Sequence, residues 1–94
     1  MPFVQIEHPV HNYDVWKEAF DSDPVGRQLS GVIQYRVLRP VDDPNYVIVE
    51  LEFSTTDSAQ LFLGKMHDLW RNVEGKIIEK PRARIVESVE AKRY

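Results

Sequence analysis

Apolar and polar positions recur with two different periods along the chain, and the switches between them mark out six elements. Residues 3 to 8 alternate in steps of two, with Val4, Ile6 and His8 on one side and Phe3, Gln5 and Glu7 on the other, which predicts a half-buried strand closed by Pro9. After Asn12, a natural helix cap, the period lengthens. Tyr13, Trp16 and Phe20 fall at i, i+3 and i+7 and place three aromatic rings on one helical face. The helix should end before Asp21-Ser22-Asp23-Pro24. The stretch from there to Gly31 is polar and turn-rich, with Val25 and Leu29 as its anchors, and is a candidate loop for substrate access.

Residues 32 to 38 and 46 to 53 are rich in β-branched and aromatic side chains and predict two strands, with Pro40 to Asn45 as the hairpin loop between them. Ser54-Thr55-Thr56-Asp57 supplies cap residues for a second helix. Ala59, Phe62, Leu63, Met66, Leu69, Trp70 and Val73 follow its repeat, and Gly75 marks its C-terminal stop. Beyond Lys80-Pro81, residues 83 to 89 read as a last strand, with Glu87 and Ser88 blurring which side faces inward. The order is strand, helix, strand, strand, helix, strand. It predicts an α+β, ferredoxin-like βαββαβ fold in one domain, residues 1–94, with both helices on one face of a four-stranded antiparallel sheet.

Such a sheet has a second face. If Val4, Ile6, Ile33, Tyr35, Val37, Val47, Val49, Leu51 and Phe53 look toward the helices, the other side carries Phe3, Val32, Leu38, Tyr46 and Ile48 among Gln5, Glu7, Gln34, Arg36, Glu50 and Glu52. A face meant for water seldom gathers that many large apolar side chains. A sheet-on-sheet homodimer, with Arg36 pairing Glu7 or Glu50, is the favoured expectation, and a monomer with scattered surface apolars is the alternative.

Composition narrows the partners. Twelve Lys and Arg against fifteen Asp and Glu leave a net charge of −3, a poor footprint for phosphate backbones, so no nucleic-acid partner is expected. The basic positions Arg71, Lys76, Lys80, Arg82 and Arg84 lack interleaved aromatics and read as a solvated face. No apolar run is long enough to cross a membrane, and the residues from Met1 to Glu7 lack the pattern of a signal peptide, so a cytoplasmic protein without a membrane partner is expected. Without cysteine there is no disulfide, thiolate metal site or nucleophilic thiol. Neither a P-loop, a dinucleotide fingerprint nor a G-x-S-x-G is present, and no cofactor is implied. His8-Pro9-Val10-His11 has the spacing of an HxxH, but it falls on a proline-containing loop, so no metal is expected and His11 reads as an exposed loop histidine.

The run from His8 to Asp21, followed by Gly31-Val32 and a strand ending Val37-Leu38-Arg39, resembles small members of the dimeric α+β barrel superfamily, the antibiotic-biosynthesis monooxygenase and polyketide cyclase-like proteins. The resemblance in element order spans nearly the whole chain, and a recognisable motif is confined to its first third. It implies two ferredoxin-like protomers whose sheets pack into a barrel, with a ligand cavity in each between sheet and helices. Members include cofactor-independent monooxygenases, cyclases, isomerases, haem-degrading enzymes and stress-responsive proteins, so the fold alone does not fix the chemistry. The oxygenase branch implies an Asn, a Trp and a His at the cavity. Trp70 and His67 match two of these, while the first strand offers His8 and Gln5 where the Asn would be sought.

The candidate catalytic residues are His8, Tyr13 and Tyr35. His8 ends the first strand on its helix-facing side, where a neutral imidazole would suit proton abstraction from a phenol or enol, and the tyrosine hydroxyls could place or polarise a substrate oxygen. The candidate substrate-binding residues are Trp16, Phe53, Phe62, Met66, His67 and Trp70. Each has an ordinary structural alternative: a histidine bonded to a loop carbonyl for His8, a half-exposed helix-boundary residue for His67, and plain core for the others. The expected ligand is a small hydrophobic or aromatic molecule, and the expected activity is that of a cofactor-independent monooxygenase, cyclase or isomerase on an aromatic or polyketide-like substrate. A non-catalytic ligand-binding domain and a dimerisation domain are the alternatives.

Overall fold

The structure, a computed structural model, describes residues 1–73 and 78–94. Its elements are β1 (Pro2–Pro9), α1 (Tyr13–Asp21), β2 (Gln34–Leu38), β3 (Tyr46–Glu52), α2 (Thr56–Val73) and β4 (Arg82–Glu87). The sheet is antiparallel in the order β2-β3-β1-β4, so the first strand lies inside the sheet between β3 and β4, as a ferredoxin-like βαββαβ fold requires. No described helix is long and apolar enough to cross a membrane.

Local chemistry explains the ends of the helices. Asn12 is extended, and its side chain accepts a hydrogen bond from the Val15 N–H at 3.1 Å, capping α1. At the other end the Ser22 N–H donates to the Glu18 carbonyl and the Ser22 hydroxyl donates to the Ala19 carbonyl. The chain then turns at Asp23, whose φ is 54°. Thr55 caps α2 by accepting from the Ser58 N–H at 3.1 Å. The expected stop at Gly75 lies outside the described residues, as does Lys76.

The core lies between the helices and one sheet face, with Val4, Ile6, Val47, Val49, Leu51, Phe53, Ala59 and Phe62 at its centre. Alternation in β1 and β3 is as expected, and Ala83 and Ile85 take the inward positions of β4 opposite Ile6 and Val4. That settles the register of the last strand, which runs from Arg82 to Glu87 rather than over 83 to 89.

Two expectations are corrected here. β2 begins at Gln34, not Val32, because Gly31 at φ 99° turns the chain just before it. Val32 consequently packs against the core, while Ile33 is 53% exposed, the reverse of their expected sides. Leu29 is no anchor, being 98% exposed, whereas Val25 does pack on the core.

The second face of the sheet carries a cross-strand row. The Arg84 Nε donates to the Gln5 Oε1 at 2.8 Å, the Gln5 Nε2 donates to the Glu50 Oε2 at 3.1 Å, and the Arg36 Nη2 pairs with the Glu50 Oε1. The Arg36–Glu50 pair is thus made within one sheet, across β2 and β3, rather than between two sheets. The Arg36 guanidinium holds the Glu50 carboxyl below its ordinary pKa, helped by Gln5 and opposed by partial burial. Half-buried Phe3, Tyr46, Ile48 and Val86 lie beside this row.

Candidate functional site

A partly enclosed cavity of about 280 Å³ lies between the sheet and the two helices. Its floor is Ile6 and His8 of β1 with Val49 and Leu51 of β3. One wall is Trp16, Ala19 and Phe20 of α1, continued by Ser22, Pro24, Val25 and Arg27 of the following loop. Phe62, Met66, Leu69 and Trp70 of α2 form the other wall, and Ile78 closes one end. The aromatic spacing that makes α1 amphipathic therefore also furnishes a flat apolar lining.

His8 is the only buried polar side chain among the described residues, at 3% exposure. The strand end that carries it is pinned on both sides: the Val10 N–H donates to the Asn45 carbonyl at 2.7 Å, and the Glu79 N–H donates to the Pro9 carbonyl at 3.3 Å. His8 Nδ1 lies 3.0 Å from the same Pro9 carbonyl. A carbonyl oxygen can only accept, so Nδ1 carries the proton and Nε2 of the neutral ring holds a lone pair, with no hydrogen-bond partner among the described residues. Burial lowers the His8 pKa below its ordinary 6.5, partly offset by the Pro9 carbonyl, which favours the imidazolium. The imidazole meets Trp16 edge to face, with centroids 6.1 Å apart.

From Trp16 the contacts run on. Its ring stacks with Phe20 at 5.0 Å, and the Arg27 guanidinium lies 3.9 Å from the Phe20 centroid. His8 and Arg27 thus stand at opposite ends of a row of touching side chains. Among the described residues Arg27 is the one charged side chain in the cavity wall.

Of the expected site residues, the structure brings His8, Trp16, Phe62, Met66 and Trp70 together around the cavity. Four others stand outside its wall. Tyr13 packs against Trp16 with ring centroids 5.9 Å apart, and the Arg39 guanidinium lies over the Tyr13 ring, 4.5 Å from its centroid. Tyr35 is exposed on β2 and meets the edge of Phe20 at 5.2 Å. Phe53 is fully buried against Phe62, and His67 is exposed, edge-on to Trp70 at 5.4 Å. The separation has a simple cause. Phe20 fills the space between Tyr35 and the cavity, and α2 turns His67 one step past the wall that Met66 and Trp70 form. His11 lies at the surface, 3.4 Å from Glu79.

Sequence reasoning missed Arg27. Its signal is the four-residue spacing from Asp23, with Gly26 between, in a segment read as irregular. Asp23 Oδ1 accepts the Arg27 backbone N–H at 2.9 Å, closing one turn that sends the side chain back under α1. Among the described residues no group of three or more acidic, histidine or cysteine side chains is placed to hold a metal ion.

This fold is the one found in antibiotic biosynthesis monooxygenase-like ferredoxin-fold proteins. SnoaB, a cofactor-independent oxygenase from Streptomyces nogalater, matches with a TM-score of 0.77 at 12% identity over 96% of this chain and 94% of its own. A protein of unknown function from Nitrosomonas europaea, NE2512, matches with a TM-score of 0.74 at 15% identity over 99% of this chain and 93% of its own. A dimeric ferredoxin-like protein from an uncultured marine organism matches with a TM-score of 0.69 at 8% identity, covering 100% of each chain. No protein-family model matches the sequence, and no curated protein is significantly similar to it.

Proposed function

We propose that the protein is a small-molecule enzyme of the cofactor-independent monooxygenase, cyclase or isomerase type, acting on an aromatic or polyketide-like substrate held in the cavity between sheet and helices. The observation that carries this reading is a single buried imidazole, kept neutral, in the wall of a largely apolar cavity that both tryptophans of the chain also line. The likeness to SnoaB supports the class of chemistry.

His8 would act as the base. With Nδ1–H held by the Pro9 carbonyl, Nε2 takes the proton of a phenol or enol, and the electron pair left on oxygen delocalises onto a ring or α carbon. In an oxygenase that carbon adds to dioxygen, and the resulting peroxide takes the proton from the His8 imidazolium and loses water as its O–O bond breaks, leaving a carbonyl with the substrate as the reductant. In a cyclase the carbon adds to a carbonyl of the same substrate, whose oxygen takes the proton back. In an isomerase it takes the proton itself, in a rearranged position. The Pro9 carbonyl stabilises the imidazolium formed in the step. Tyr13 and Tyr35, placed behind the aromatic wall, would reach a substrate oxygen only through movement of Trp16 or Phe20.

The test uses hydroxylated naphthalenes and anthracenes. Binding is read from quenching of Trp16 and Trp70 emission, turnover from product mass and oxygen uptake. His8→Ala should lower turnover by about 10²–10⁴-fold while quenching persists. Equal turnover by that variant would remove His8 as the base. Quenching without any change in ligand mass would favour the second reading, a binding domain, which the Pro9 hydrogen bond to His8 also fits.

The same reading includes a homodimer. The half-buried Phe3, Tyr46, Ile48 and Val86 beside the Arg84–Gln5–Glu50–Arg36 row would meet a second copy sheet to sheet, an arrangement supported by the dimeric ferredoxin-like protein of the same fold.

A further inference from the structure

We propose that Arg27 determines which ligands the cavity accepts, by receiving the carboxylate of an aromatic acid whose rings occupy the apolar interior. The inference deepens the reading of the cavity as an aromatic-ligand site and rests on it.

Arg27 is held in place without being saturated. Its Nη1 donates to the Phe20 carbonyl at 2.7 Å, and its guanidinium lies over both the Phe20 ring, at 3.9 Å, and the Tyr35 ring, at 4.9 Å. Its side chain is only 15% exposed, yet among the described residues its one ion pair is the loose approach of Nε to Asp23 Oδ1 at 3.6 Å. That same oxygen already accepts the Arg27 backbone N–H at 2.9 Å. The Nη2 N–H groups have no partner among the described residues. A largely desolvated guanidinium with free donors favours an anion, and its planar fork matches a carboxylate.

Position adds the second half of the argument. Arg27 lines the largely apolar cavity and also a cleft shared with Asp23, Gln28, Gln34 and Tyr35, so it stands where apolar lining gives way to polar surface, with its Nη2, among the described residues, free on the side that Asp23 does not engage. A ligand with fused rings inside and an acidic group at this border would satisfy both. Its far end would then lie along Trp16 toward His8, which fixes the direction in which the substrate enters.

The experiment compares 2-naphthoate with 2-naphthamide, nearly the same in shape and different in charge, by quenching of tryptophan emission. The wild type should bind naphthoate about 10–100-fold tighter, as a charge-assisted hydrogen bond supplies. Arg27→Gln should bring the ratio to about one, chiefly by loss of naphthoate affinity with a much smaller change for naphthamide, and Arg27→Lys should keep part of the preference. Equal binding of both probes by the wild type would overturn the role of Arg27 and leave the aromatic-ligand reading standing. If neither probe binds, that reading falls and the inference with it. Loss of naphthamide binding in both variants would make Arg27 a staple between loop and α1, and would equally overturn the proposal.

Discussion

His8 and Trp16 meet edge to face with ring centroids 6.1 Å apart, so the one buried imidazole touches the central ring of the cavity wall. The pair couples the protonation of a strand residue to the packing of a helix. Burial lowers the His8 pKa below 6.5, so the folded chain binds fewer protons there than the unfolded chain between the lowered value and 6.5. The contribution of His8 to stability is therefore complete above that window and is lost as pH falls through it. Urea unfolding midpoints should drop between about pH 7.5 and about pH 5, and His8→Gln should show a shallower drop. An equal pH dependence in the two proteins would show that His8 does not titrate with a lowered pKa. Any activity based on Nε2 should likewise persist below pH 6.5 rather than fade at it.

Packing is not uniform around the cavity. Phe53 is fully buried against Phe62 with no free space beside it in the cavity wall, whereas half-buried Met66 borders the cavity directly. Phe53→Ala should cost ~3–5 kcal/mol, and Met66→Ala less than ~2 kcal/mol. Met66→Ala should also admit larger aromatic probes. Denaturant titration and fluorescence quenching measure the two effects, and a Met66→Ala cost as large as that of Phe53→Ala would mean that the cavity side of α2 is packed solid.

Two glycines should respond in opposite directions to alanine. Gly31 has φ 99°, a conformation that L side chains rarely adopt, so Gly31→Ala should cost ~1–3 kcal/mol even though its Cβ would meet Ser58 and Phe53 only at ordinary distances of 3.7 and 3.8 Å. Gly64 lies in the middle of α2 with open space where a Cβ would go, and Gly64→Ala should stabilise by ~0.5–1 kcal/mol. Chemical unfolding of both variants checks the pair.

On the second sheet face Ile48 sits between Leu38 of β2 and Glu7 of β1. If a second copy packs there, Ile48→Glu places a charge beside Glu7 in the interface and should convert a species of twice the chain mass into one of single mass in sedimentation velocity, with helix and strand content unchanged. A wild type that sediments as a monomer throughout would remove the interface.

The order of elements and the inward faces of β1, β3 and α2 were legible because burial on one side imposes periods of two and 3.6 on the sequence. The start of β2 was not, since the side on which Val32 and Ile33 fall depends on the turn at Gly31, and periodicity carries no record of a backbone angle. His8 could be singled out as the polar member of an apolar row. Tyr35 shares the inward side of its strand with Val37, yet whether it reaches the cavity depends on Phe20, a residue fifteen positions away whose ring lies across its path. Arg27 was hidden for a related reason. A charged residue in a turn-rich stretch looks solvated, and only the turn closed by Asp23 carries it inward.

The strand order has a consequence for synthesis. β1 is made before the other three strands, yet it lies inside the sheet, and Pro2 to Glu7 pair with Glu87 to Arg82. During translation one edge of β1 waits unpaired until β4 has emerged, which makes folding dependent on contacts far apart in sequence. Ile78, which lies just before β4, is part of the cavity wall, so a nascent chain that ends short of it has no finished chamber in which to hold a guest.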